Sequence, residues 1–297
     1  MINVQTQPAN KLAQDFLGFL DGVEFARTCG ITPDDKQAAL LRSLSRRIIG
    51  CTSRQWGKST TAALIGASDA WYDRMHPEAR KVLGSNSHSL TLIVSPTQRQ
   101  SDEAFSKLRT YLSAKIEDAS ETEVRCEGNP EVFQRIPGNC RVDKSQAVKN
   151  WQIRSLTLTN GARVVSLPGA PETIRGYSSV TRAIIDEAAF VDPALIGAIR
   201  PMLLVSRGSL LLLSTPNGKQ GEFYEIFTGD SPDWERIEVP YWENPRINIA
   251  DLDVDRRELP AWLFEQEYEC KFRERLGAAF KETEIQGALV DGEELVL

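Results

Sequence analysis

No stretch of this chain is apolar for the roughly 18 residues that a membrane-spanning helix requires. The polar N-terminus, Met1 to Asp15, lacks the apolar centre of a secretion signal. Cysteine is sparse: residues 29, 51, 126, 140 and 270 form no CxxC pair and no zinc-ligand spacing. Their odd number and wide scatter suit reduced thiols rather than a disulfide framework. There are only two histidines, His76 and His88, and both read as surface residues. Excess positive charge is also missing. The net charge of −6 argues against a protein that coats nucleic acid non-specifically, while a local basic groove remains open. Internal repeats and low-complexity tracts are absent. What is present is 297 residues of ordinary globular composition, enough for a full α/β core and a small appended subdomain.

Apolar positions Leu12, Phe16, Phe19, Leu20 and Val23 recur at helical spacing, so a helix is expected over residues 10–28, and another over 36–45. Short buried runs then alternate with helical segments. Strands are expected at 46–51, 90–95, 180–185 and 209–213, with helices over 59–74 and 98–114 and one from about Pro193. That alternation predicts a mainly parallel sheet with crossover helices. The stretch 151–167 instead alternates polar and apolar residues around Asn160-Gly161, which predicts an antiparallel hairpin at the sheet edge. Residues 120–149 read as surface loop. The tail is helical from about Ala261, where Trp262, Phe264 and Tyr268 read as core of that helix. The expected divisions are an N-terminal helical extension (1–30), an α/β core (31–245) and a C-terminal linker or lid (246–297).

The segment Ser53-Arg54-Gln55-Trp56-Gly57-Lys58-Ser59-Thr60 follows a strand and opens a helix, which is the mechanics of a phosphate loop. The free N–H groups of the helix N-terminus face an anion there. Lys58 would meet the β- and γ-phosphates of ATP, and the Ser59 hydroxyl would ligate Mg²⁺. Thr52 stands where the first glycine of the usual pattern falls. A second half-site follows on a buried strand ending in Asp186-Glu187. Asp186 would hold Mg²⁺, and Glu187 would polarise the attacking water. The bland alternative is that these two acids merely cap the next helix. A third strand runs into Ser214-Thr215-Pro216-Asn217-Gly218, whose hydroxyls could sense hydrolysis or could form an ordinary turn.

Together these motifs resemble the ATPase domain of the large terminase subunit, the motor that packages DNA into tailed-phage and herpesvirus capsids. The resemblance covers roughly residues 30–275 and implies a RecA-like (ASCE) P-loop NTPase fold. It explains the broken glycine pattern, because the family's phosphate loop carries an arginine, which Arg54 matches. Gln37, in Pro33-Asp34-Asp35-Lys36-Gln37, resembles the family's adenine reader. Arg175, before the acidic strand, matches the place of an arginine finger that reaches a neighbouring subunit's γ-phosphate, although Arg154, Arg163 and Arg182 lie nearby. Ser95-Pro96-Thr97-Gln98 resembles the segment such motors turn toward DNA, and Ser214, Thr215 and Pro216 a coupling motif.

The resemblance further implies double-stranded DNA, a capsid portal and a small terminase subunit as partners. It implies a homo-oligomeric ring, expected as a pentamer, in the host cytoplasm, docking transiently on the procapsid, with single subunits in isolation. Complete relatives add a metal-dependent nuclease domain. After Gly277-Ala278-Ala279-Phe280 only a few acids remain, among them Asp291, Glu293 and Glu294, so no nuclease activity is expected. Candidate DNA-gripping clusters are Arg99, Lys107, Arg109 and Lys115, and Arg141, Lys144, Lys149 and Arg154. The competing readings are a helicase-like remodelling ATPase and a nucleotide-gated scaffold without turnover.

Overall fold

The computed structural model describes residues 8–120, 148–152 and 154–274. Its strands are β1 (Arg47–Thr52), β2 (Leu90–Ser95), β3 (Val148–Trp151), β4 (Ser155–Leu158), β5 (Arg163–Pro168), β6 (Arg182–Asp186), β7 (Ser209–Ser214) and β8 (Glu235–Val239). They form one sheet in the order β3-β4-β5-β2-β6-β7-β1-β8. Every pairing from β5 across to β8 is parallel, while β4 runs antiparallel to both β5 and β3. This is the expected mainly parallel sheet with an antiparallel edge.

The helices are α1 (Pro8–Leu20), α2 (Gly22–Thr28), α3 (Asp35–Arg42), α4 (Lys58–Trp71), α5 (Pro77–Leu83), α6 (Gln98–Ser120), α7 (Pro171–Ile174), α8 (Pro193–Ile199), α9 (Gly221–Thr228), α10 (Ile249–Glu258) and α11 (Ala261–Tyr268). Two apolar layers cover the sheet. One packs Ile49, Leu92, Val94, Ile185 and Leu212 against α8 and α9. The other packs Ile93, Leu156 and Val164 under α4 and α6. The helical N-terminus is bound into this second layer, where Phe25 and Ala26 of α2 are fully buried.

Several expectations change. The single helix expected over residues 10–28 is two, because the Asp21 carboxylate accepts the Val23 N–H and starts α2 afresh. Phe16 and Leu20 are exposed, whereas Val23 is buried. The helix from Gln98 continues to Ser120, so residue 120 is not loop; residues 121–147 lie outside the described segments. Of the three aromatics expected in the core of the terminal helix, only Phe264 is buried; Trp262 is exposed and Tyr268 half-buried. Edge strand β8 had no clear signal, because its sequence Glu-Arg-Ile-Glu-Val buries only two side chains.

The Asn160-Gly161 turn is more than a hairpin tip. Gly161 takes a φ of 92°. The Asn160 side chain donates from one amide nitrogen to the carbonyls of Ala70 (2.9 Å) and Trp71 (3.0 Å). Those carbonyls lie in the last turn of α4, where the intrahelical ladder ends, so the edge hairpin is tied to the helix that leaves the phosphate loop. Replacing Asn160 with alanine is expected to cost about 1–3 kcal/mol, since the Trp71 carbonyl loses the Asn160 amide, the Ala70 carbonyl keeps only backbone N–H partners, and the Ala162 N–H loses the Asn160 Oδ1 acceptor. Urea denaturation of the variant measures this.

Candidate active site

The ends of β1, β7 and β6 stand level on one edge of the sheet: Cys51 lies opposite Ser214, and Asp186 opposite Leu213. Beyond β1 the backbone turns through Ser53 to Gly57. Left-handed φ values fall at Gln55 (58°) and Gly57 (98°), and not at Thr52 or Arg54. That is why a threonine is tolerated where a glycine is customary: the turn asks for a left-handed residue later. Gly57 is the N-cap of α4 and no side chain caps that end, so its first N–H groups are left to an anion.

The loop is braced from below and from the side. The Trp56 indole is fully buried among Leu40, Ile65, Leu213 and Val239, which leaves its backbone, rather than its ring, to face a nucleotide. The Ser53 N–H donates to the Val239 carbonyl (2.7 Å), and the Arg54 N–H to the Glu267 carbonyl (2.8 Å). Asn244, itself buried, points its amide at Ser53 Oγ (3.4 Å) and at the Arg54 carbonyl (3.5 Å). The Arg54 guanidinium is exposed and lies 3.2 Å from the Glu267 carboxylate.

Lys58 is buried, and its ammonium lies 3.5 Å from Glu187 Oε1. The Ser59 hydroxyl donates to Asp186 Oδ2 at 2.5 Å, although 127 residues separate the two. The other Glu187 oxygen is 3.4 Å from the Ser214 hydroxyl, which also accepts the Ala189 N–H at 3.1 Å. Thr215 and Pro216 are buried beside it. Neither acid caps a helix: Glu187 sits at a left-handed φ of 56° with no side-chain cap bond, and α8 is capped instead by Asp192. Burial raises the Asp186 carboxyl to about 6; the Ser59 hydroxyl opposes the rise and the Glu187 charge adds to it. Asp186 Oδ1 is buried with no hydrogen-bond partner.

Known proteins resemble this chain over most of its length. The family described as terminase large subunit, T4likevirus-type, N-terminal, matches residues 49–287. This chain belongs to that family. A terminase large subunit of Escherichia phage T5 is 27% identical over 258 residues, covering 82% of this chain and 48% of the relative. The chain thus spans about half the length of that relative. Among solved structures, the large terminase ATPase domain of Thermus phage P74-26 superposes with a TM-score of 0.62 at 23% identity, over 84% of this chain and 97% of that one. The large terminase of another thermophilic bacteriophage, solved in complex with ADP, gives 0.52 at 12% identity, over 80% of this chain and 53% of that one. These superpositions establish the RecA-like ASCE fold of the terminase ATPase domain.

The remaining candidates in this terminase chain fall into place unevenly. Gln37 is buried beneath the loop, and its amide nitrogen donates to the Trp56 carbonyl at 3.2 Å. Arg175 follows α7, exposed and without an ion pair among the described residues. Of its rivals, Arg182 is paired with buried Asp69, Arg154 with Asp102 (3.1 Å), and Arg163 begins β5 at the opposite edge. Ser95 to Gln98 leave the end of β2 on the same edge as the phosphate loop.

The basic clusters need correction. Lys115 is buried, 3.0 Å from Asp15, and so is no part of a DNA-facing stripe; Lys107 pairs with Glu103 (3.1 Å). Arg141 and Lys144, like Gly277 to Phe280 and the acids at 291, 293 and 294, lie outside the described residues, and nothing is described of the Lys149 side chain. Asn244, Arg246 and Glu267 went unrecognised because they stand about 190 or more residues from the loop and belong to no motif.

An ionised Asp186 without a cation burdens the fold. Its proton is held more tightly in the folded chain than in the unfolded one, so stability falls as pH rises from about 4 to about 6 and stays lowered above that. Asp186→Asn removes the burden. Its melting temperature in metal-free buffer is expected to exceed the parent's at pH 7.5 and to match it below pH 4. Thermal denaturation across that range tests this.

Proposed function

We propose that this chain hydrolyses ATP as the motor of a DNA-packaging terminase, driving double-stranded DNA into a procapsid. The observation that carries the reading is the 2.5 Å bond between Ser59 and Asp186, which joins the phosphate loop to the acidic strand inside a terminase-family fold. The pair offers only oxygen donors, and the orphaned Asp186 Oδ1 faces no protein partner. This fits Mg²⁺, which binds through one or two carboxylates plus substrate phosphates. When bound, that ion neutralises charge on the β- and γ-phosphate oxygens.

The protein's own groups do the rest. Lys58 and the N–H groups of Gly57 to Thr60 hold the phosphates, with Ser53, Arg54, Gln55 and the Trp56 backbone completing the loop. Glu187 orients and polarises the attacking water. Gln37 has a second amide hydrogen with which to contact adenine. Ser214 touches Glu187, so loss of the γ-phosphate is felt at once by Thr215 and Pro216, the start of the coupling segment. Arg175, exposed and uncommitted on the segment after β5, is the finger offered to the next subunit of a ring, expected to be a pentamer. Portal and small terminase subunit are its partners, and the host cytoplasm its place of action. In this reading residues 1–30 brace the core of residues 31–245, and residues 246–297 form a lid and linker.

Glu187→Ala is expected to lower ATP turnover by about 10²–10⁴ while leaving ATP bound; turnover at the parent rate would remove Glu187 from the mechanism. Arg175→Ala is expected to lose about 10³ or more of the assembled rate. Mixed rings of Arg175→Ala and Glu187→Ala chains should regain part of it, since each subunit then supplies what its neighbour lacks. Stimulation of ATP turnover by portal-bearing procapsids, and not by free forked DNA, tests packaging itself; the opposite result would favour a helicase.

A further inference from the structure

Trp56 and Gly57 share one peptide plane, and that plane is gripped by its carbonyl. The Trp56 oxygen accepts two hydrogen bonds, from Gln37 Nε2 and from Arg246 Nη1, both at 3.2 Å. The same guanidinium donates from Nη1 to Asp34 Oδ2 (2.5 Å) and from Nη2 to Gln37 Oε1 (2.7 Å). Asp34 and Gln37 are themselves locked in a capping box at the start of α3, with bonds of 2.8 and 3.2 Å. Arg246 therefore ties three points together from the segment that follows β8. Its own N–H is fixed to the Asn244 side chain (3.2 Å).

The consequence follows from peptide geometry. In a trans peptide the carbonyl and the following N–H point in opposite directions, and every peptide bond among the described residues is trans. Holding the Trp56 carbonyl down among Gln37 and Arg246 turns the Gly57 N–H up, to the side where the uncapped start of α4 meets an anion. A glycine at φ 98° has unusual freedom to swing that plane, so some external grip is needed to fix it.

We propose that Arg246 is a positioning residue for the nucleotide's phosphates, acting through the Trp56 carbonyl to aim the Gly57 N–H, and that it plays no part in recognising the base. The proposal rests on the ATP-site reading given above. Arginine suits the task because its planar fork reaches Asp34, Gln37 and Trp56 at once, which a single ammonium cannot do.

The test compares parent, Arg246→Ala and Arg246→Lys full-length chains, each checked by its melting curve. Calorimetry measures binding of ATP, GTP and inorganic tripolyphosphate with Mg²⁺. Loss of charge-assisted bonds to the loop is expected to weaken ATP and tripolyphosphate alike, by about tenfold or more in the alanine variant. The lysine variant should recover only part of this, and the ATP-to-GTP preference should stay at the parent's value. An unchanged affinity for tripolyphosphate in both variants overturns the proposal. So does a collapse of the ATP-to-GTP preference with phosphate affinity intact, which would assign Arg246 to the base. A parent chain that binds neither ATP nor tripolyphosphate would instead sink the ATP-site reading on which the proposal stands.

Discussion

The parallel register of β1, β7 and β6 decides where each group of the candidate site stands. β7 lies between the strand that feeds the phosphate loop and the strand that ends in the two acids. It places Cys51 opposite Ser214, and Leu213 opposite Asp186. A slip of one residue moves a strand by ~3.3 Å and turns its side chains to the other face. The Ser59–Asp186 bond and the Lys58–Glu187 pair would not survive it. β7 reads Ser-Leu-Leu-Leu-Leu-Ser and is buried on both faces, so its own pattern cannot set this register. The neighbours set it: the Leu210 N–H donates to Arg46, and the Ser209 N–H to Thr181, on opposite sides.

Those central strands are also what a reader of the sequence can find. Runs such as Leu-Thr-Leu-Ile-Val-Ser, buried on both faces, announce themselves by composition, and a Gly-Lys-Ser after one of them marks the phosphate loop. The acids at 186 and 187 were equally legible. Less so was their company. Asn244, Arg246 and Glu267 reach the loop only because the chain returns past it after β8, and return paths leave no periodic trace. Edge strand β8 was silent for a related reason, since one face of it is solvated and its polar residues dominate. Lys115 misled in the opposite way: a lysine on a polar-looking helix turned out to be buried against Asp15.

Local stability is given up where the chemistry is built. Asp186 is buried with one oxygen unsatisfied. Glu187 and Gln55 both occupy left-handed backbone that non-glycine residues avoid at a cost of roughly 1 kcal/mol or more each. The surrounding core supports these burdens, with the Trp56 indole filling the space below the loop and the aliphatic strands packed on either side. Strain concentrated at the two half-sites, against a well-packed sheet, is the pattern expected where geometry is kept for function.

The Arg54–Glu267 contact has a mechanical meaning. Arg54 is joined to α11 twice, by backbone and by side chain, so the phosphate loop and the helix at 261–268 are links in series rather than separate parts. A pull applied beyond α11 is transmitted to the loop at the residue next to Gln55, where the backbone is already out of its relaxed conformation. A displacement of α11 and a change in the loop's shape are therefore one motion, because the contacts that brace the loop at Arg54 are the same ones that hold the helix beside it.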